Sequence, residues 1–380
     1  MDLPLPGTDR HRSRHPRDHR HFRPVLHQCG QEAVQNRRRV TSGQSPAVGI
    51  VGRIAGQYPL AATYHTPALE ADMARITPIV TELVSEGTGL SLPGHPTVAV
   101  IDRPEWVERN LASFKHLVEP ATRKLVESRE GLRQQNVERL VERESSALLG
   151  VLSRRVLGQY ELVLPTGEDG DSVVYVGPNV LHMERTHQFR PSEFRFWVAL
   201  HELTHRAQFT GIPWLRGYFF GLVEELVEAS GPEPGRLGAV IGEVLERRRR
   251  GEPIIDERGL FGLVATPAQT EIVDRVQALM TLLEGHGHVV MDRIGATHLK
   301  SQSRMSQVLK NRRRDKRTAA FFRITGLEMK INQYAKGERF IKSVERQAGW
   351  EAVNLAFRGA GSLPNLDEIE QPELWISRVA

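Results

Sequence analysis

Apolar positions recur at helical spacing along most of the chain. ALEADMARITPIVTELVSEGTGL places them three and four apart and ends on Gly87 and Gly89, with a proline just beyond. EWVERNLASFKHLVEPATRKLVESREGL and NVERLVERESSALLGVLSRRVLG continue as amphipathic helices. Further helices are predicted over residues 192–210, 214–230, 235–250, 268–294, 300–323 and 326–348. VAVIDRP reads as a short strand or an extended turn. Between 160 and 180 the pattern changes: YELVLP and DSVVYVG are β-branched and apolar around the turn-forming TGEDGD. They predict a small hairpin ending at Gly177-Pro178-Asn179. The organisation expected is a basic tail over 1–45, a helical region over 46–155, a core over 156–350, and an irregular tail over 351–380 packing on that core.

The 192–210 helix carries His201-Glu202-Leu203-Thr204-His205, with Ser192 the expected N-cap behind Pro191. Two histidines four apart lie about 40° apart round a helix and one turn apart along it, so both imidazoles can reach one metal ion. Glu202 sits about 100° round, at the edge of that face, where a general base for a metal-bound water would stand. Phe194, Trp197, Val198, His205 and Gln208 lie within about 60° of His201, and Leu200, Leu203, Phe196 and Ala207 cover other sides. A helix apolar nearly all round is expected to be buried. Polar groups there need partners, because an unpartnered one costs several kcal/mol.

Zinc needs a third protein ligand. The helix QTEIVDRVQALMTLLEGHGHVVMDRIGA offers Glu284, which shares a face with Val273, Gln277, Met280 and Met291. A carboxylate among such side chains is expected to be paired or ligating. His288, one turn on, is a rival ligand or a hydrogen-bond partner for Glu284; Asp292, two turns on, could orient His201 or His205 or pair with Arg293 or Arg275. His286 points away from Glu284 and reads as a surface histidine. Tyr218, Tyr334, His298 and His288 are the candidates for stabilising an oxyanion.

Composition narrows the class further. No apolar run approaches the roughly 18 residues that span a bilayer, and the N-terminus has no apolar leader. Cys29 is the single cysteine, which excludes a disulfide framework and an all-cysteine metal site. A cytoplasmic protein with no membrane partner is the simplest expectation. The net charge of +5 is uneven: residues 1–40 hold nine arginines and five histidines, and a second basic run covers Lys310–Arg317. Neither run interleaves aromatics, so they read as a disordered tail (or a mis-assigned start) and a solvated helix face rather than a nucleic-acid site.

The stretches VIDRPEWVERNLASF, VLGQYELVLP, FRFWVALHELTHRAQFTGIPWL, LLEGHGHVVMDRIG, INQYAKGERFI and WISRV resemble, in order over about residues 50–380, an actinobacterial zincin-like family labelled as hydrolases associated with deazaflavin-coenzyme biosynthesis. Glu284-Gly285 also resembles the pair that carries the third ligand in several gluzincin peptidases. The resemblance implies a mainly α zincin-like fold with a small β-sheet beside the metal helix. It implies Zn2+ held by His201, His205 and Glu284, with Glu202 as base. The coenzyme link is a naming and gene-neighbourhood association that supplies no substrate. The expected activity is zinc-dependent hydrolysis of a peptide or other amide bond. SVVYVGPN, Ser172–Asn179, is the expected edge strand for a peptide or protein substrate. The alternative is a catalytically silent scaffold acting as a binding or regulatory module.

Overall fold

Four of the five residues in Ser172-Val173-Val174-Tyr175-Val176 are β-branched or aromatic, the side chains that suit a strand covered on both faces. The computed structural model describes residues 58–113, 115, 142, 145–162, 171–229, 249–250, 266–313 and 329–379, all within one compact unit, Ala47–Ala380. There this segment forms β3 (Ser172–Val176), every residue of it buried. β1 (Thr97–Ile101) pairs with it in parallel and β2 (Gly158–Tyr160) antiparallel, giving the order β1-β3-β2. The hairpin partner is therefore shorter than expected, and residues 163–170 of the turn lie outside the described residues. SVVYVGPN is not an edge strand. Its far side is taken by β1, from a distant part of the chain, and Gly177–Asn179 open a helix. That pairing is non-local and leaves no mark in the local pattern of β3.

The helices among the described residues include α1 (His65–Thr88), α2 (Gly177–Thr186), α3 (Pro191–Gly211), α4 (Leu215–Ala229), α5 (Pro267–His298), α6 (Gln302–Arg313) and α7 (Met329–Ala348), of which α1, α2 and α3 pack on the sheet. Residues 103–113 and 145–152 are helical too. α1 buries Leu69, Met73, Ile76, Val80 and Val84, the stripe its periodicity predicts. It closes on Gly89, whose φ of 73° frees its N–H to reach the Ser85 carbonyl at 2.9 Å. The predicted helix 235–250 lies outside the described residues apart from 249–250, as do residues 1–57 and 314–328.

α3 begins with Pro191, whose fixed φ and missing N–H suit the first helical position. Arg190 is the N-cap without a side-chain cap bond, so Ser192 lies inside the first turn rather than capping it. Two buried ion clusters hold this helix in register. Arg195 Nε meets Glu184 at 2.8 Å and its Nη1 meets Asp72 at 2.8 Å. Arg206, fully buried, binds Asp171 through Nε at 2.8 Å and donates to the Pro93 carbonyl at 2.6 Å. Buried ion pairs add little net stability but fix geometry, and these two flank His201–His205.

α5 starts at a capping box, in which Thr266 and Gln269 each accept the other's backbone N–H, with Pro267 in the first turn. Its interior glycines would each cost about 1 kcal/mol relative to alanine without compensation. Gly285 has a clear reason: a Cβ there would lie 2.2 Å from the Gly337 carbonyl carbon of α7. A Cβ on Gly337 would lie 2.1 Å from the Thr281 carbonyl oxygen. The two helices cross backbone against backbone.

The C-terminal residues are not irregular. They form α8 (Trp350–Asn354), α9 (Leu366–Glu370) and α10 (Pro372–Val379). Asn365 and Glu368 make a capping box, and Trp375 is fully buried with Nε1 donating to the Ser362 carbonyl at 2.8 Å. These helices are too short for a visible period. No described helix is long and apolar enough to cross a membrane.

The Gly285–Gly337 crossing gives a first test. Gly337→Ala should lower stability by about 1–3 kcal/mol, because the obstructing atoms are backbone and cannot swing aside. Helix propensity alone would favour alanine by about 1 kcal/mol, so urea denaturation separates the two effects by sign. A variant as stable as the parent would contradict the crossing.

Candidate metal centre

His201 and His205 stand on the face of α3 that meets α5, their rings 4.5 Å apart and nearly perpendicular at 80°. Glu284 of α5 points between them. Its Oε2 lies 4.0 Å from His201 Nε2 and 3.6 Å from His205 Nε2. The three ligand atoms all fall within 4.8 Å of one another. Ligands about 2.0–2.2 Å from a tetrahedral zinc stand roughly 3.3 Å apart, so the two gaps to Glu284 would close by less than about 1 Å and the third by no more than about 1.5 Å. Two nitrogens and one carboxylate oxygen, largely withdrawn from water, also match the donor chemistry of a zinc site that keeps one position open. The residues fit the metal.

Each histidine is turned by a partner on its other nitrogen. His201 Nδ1 lies 3.3 Å from the Met291 sulfur, and His205 Nδ1 lies 2.9 Å from Gln208 Oε1. Both partners are acceptors, so both rings present Nε2 to Glu284. His288 is buried but is not in the converging set.

Glu202 is buried under β2. A Cβ on Gly158 would lie 2.7 Å from Glu202 Cγ and 2.8 Å from Oε1, so only glycine leaves room for this side chain. The Tyr160 backbone N–H donates to the Glu202 carboxylate. Burial raises the Glu202 pKa, His205 and the Tyr160 N–H oppose the rise, Glu284 adds to it, and the result is about 7. Burial alone would lower His205, but the hydrogen bond and charge of Glu284 outweigh it and push the ring up to about 9.

Other expected residues fall elsewhere. His286 is fully buried, not a surface group: α5 runs through the core there, and the ring stacks on Trp350 at 5.6 Å with Phe357 edge-on at 5.3 Å. Burial, with the His205 charge behind it, pushes His286 down to about 3. Asp292 accepts a hydrogen bond from Gln302, while Arg293 pairs with Glu345 and Arg275 with Glu225. Asp292 therefore takes neither of its two expected roles, and the group on His205 Nδ1 is Gln208. His298 bonds the Ile294 carbonyl in the last turn of α5, about 20 Å along the helix from Glu284. Tyr218 sits beneath the Arg275 guanidinium, 5.7 Å from its ring centre. The Tyr334 side chain lies outside the described residues, as do residues 314–317 of the basic run, whose Lys310 pairs with Glu338 at 3.2 Å. Gly158, Tyr160 and Gln208 carry roles that no motif marks; only the placement of Gln208 on the His201 face hinted at one.

A histidine pair and a glutamate on one helix, met by a carboxylate from a second, make up the side-chain set of a zincin-like site. The chain belongs to the zincin-like metallopeptidase family, whose model matches residues 47–376. It is also similar to a crystal structure from Chloroflexus aurantiacus described as a "putative hydrolase with a novel fold". The two share 29% sequence identity at a TM-score of 0.66, over 87% of this chain and 96% of the other. Among curated proteins none matches.

The raised pKa of His205 has a measurable consequence. With a folded value of about 9, the metal-free ring is protonated at pH 7.5, whereas a ligand must be neutral. Zinc uptake at pH 7.5 should therefore release about one proton, and less as the pH rises above 9. Calorimetry in buffers of different ionisation enthalpy reads this directly. Release that is absent at pH 7.5 would contradict the coupling of His205 to Glu284.

Proposed function

We propose that this protein is a zinc-dependent peptidase that cleaves a peptide or other amide bond, with Glu202 as general base. The observation that carries this reading is the seat of Glu202. A carboxylate buried beside a convergent His-His-Glu set and held by the Tyr160 N–H stands where it can take a proton and give it back. Bound between His201, His205 and Glu284, zinc would lower the pKa of a water and polarise the substrate carbonyl. Glu202 takes the proton that this water loses as its oxygen bonds to the carbonyl carbon. It then delivers the proton to the departing amine nitrogen as the C–N bond breaks, so it ends in the state it began.

The strand beside the base is given over to holding it. Val176 N–H donates to the Leu157 carbonyl and Glu161 N–H to the Ser172 carbonyl, so residues 157, 159 and 161 face β3. The alternation of an antiparallel pair then turns the backbone groups of Gly158 and Tyr160 outward, toward α3. There the Tyr160 N–H is taken by Glu202 and Gly158 gives that side chain room, so this edge serves the base, and the substrate-pairing role expected for Ser172–Asn179 does not pass to it.

Two variants test the proposal on a broad peptide library. Glu202→Gln should cut hydrolysis by about 10²–10⁴-fold while zinc content stays near one per chain. Gly158→Ala should also retain zinc and lose turnover, since the new methyl displaces Glu202 without touching a ligand. Full activity in Glu202→Gln would remove it as the base. A wild type that holds zinc but turns over no peptide would favour a silent binding scaffold.

A further inference from the structure

We propose that Gln208 and His286 are positioning residues: a neutral amide–imidazole relay that fixes which nitrogen of His205 faces the metal. This rests on the reading of His201, His205 and Glu284 as a zinc site.

The relay begins at a group that can only accept. The Leu283 carbonyl oxygen of α5 lies 2.9 Å from Gln208 Nε2, so the end of the amide facing it must be the NH2. That assignment turns Oε1 toward His205, 2.9 Å from Nδ1, and Oε1 has no hydrogen to give. His205 must therefore carry its proton on Nδ1, which leaves Nε2 to face Glu284 and the ion. The second amide hydrogen points to His286 Nδ1 at 3.0 Å, which accepts it and so carries its own proton on Nε2. Gln208 is fully buried, so water does not compete for either end.

His286 in turn is held by rings. It stacks on Trp350 with 22° between the planes, and Phe357 meets it at 79°. Trp350 itself carries Arg293 at 4.3 Å, and Arg293 is tethered to Glu345 at 2.9 Å. The chain of contacts thus runs from the ligand on α3, through α5, to α8. On the open side of His205, a Cβ at Gly287 would stand 3.7 Å from Cε1, so the ring lies close against the α5 backbone. A tilt of Gln208 has nowhere to go without breaking the bond to Leu283.

The relay differs from the usual carboxylate behind a ligating histidine. A neutral amide orients the ring without adding negative charge to it, so His205 stays a weaker electron donor and the bound ion a stronger Lewis acid.

The test combines zinc affinity, by chelator competition, with 15N spectra of the His205 ring. In wild type the zinc-loaded spectrum should show His205 protonated at Nδ1 and ligating through Nε2. Gln208→Leu, which keeps volume and removes both polar ends, should weaken zinc binding by about 10–100-fold with circular dichroism unchanged. His286→Phe, which keeps the stack and removes the acceptor, should weaken it by a smaller factor. A folded Gln208→Leu with wild-type affinity would overturn the relay, as would a proton on Nε2 of His205. The ring spectrum of the wild type decides the matter even if Gln208→Leu does not fold. If the wild type takes up no zinc at all, the metal reading fails instead. The metal-free His286 ring then still tests the relay, since the Gln208 Nε2–H bond needs its Nδ1 as acceptor: a proton on His286 Nε2 supports it and a proton on Nδ1 refutes it.

Discussion

The structure depends on one encounter: the Glu284 carboxylate of α5 brought between His201 and His205 of α3, with water largely excluded. A carboxylate in that position is costly unless a cation answers it. Without a metal the answer is a proton on His205, which is why that ring is pushed up to about 9. With a metal the same three atoms would serve as ligands. The rest of the fold serves to make this meeting unavoidable. Arg195 and Arg206 fix α3 on either side of the histidines, and the Gly285–Gly337 crossing lets α7 press directly on α5 beside Glu284.

The sheet contributes the other half of the site. It is small, and β3 is fully enclosed, so only β2 has an edge turned to α3. Gly158 lets Glu202 lie against that edge, and Tyr160 anchors it through a backbone N–H. One three-residue strand thereby holds Glu202 in place.

Elements with a long period were legible in the sequence. α1, α3, α4, α5 and α7 follow their apolar stripes closely, and both the histidine pair and Glu284 emerged from helical geometry. Features set by distant contacts were not legible. β3 lost its edge to β1, His286 was enclosed by Trp350 and Phe357 from the C-terminal segment, and Gln208 was anchored by a carbonyl on another helix. The short helices α8–α10 lacked enough turns to display periodicity, although Asn365-x-x-Glu368 and Pro372 were helix-start signals of a recognisable kind. Asp292 illustrates the limit of angular reasoning. It lies on the same broad face as Glu284, but Gln302 meets it first.

The most direct measurement of the central claim is the zinc content of purified wild type, Glu284→Ala and His288→Ala after dialysis against a weak chelator. Convergence of His201, His205 and Glu284 predicts about one zinc per chain in wild type and His288→Ala, and almost none in Glu284→Ala. Zinc that survives the loss of Glu284 and disappears with His288 would contradict the three-ligand site described here.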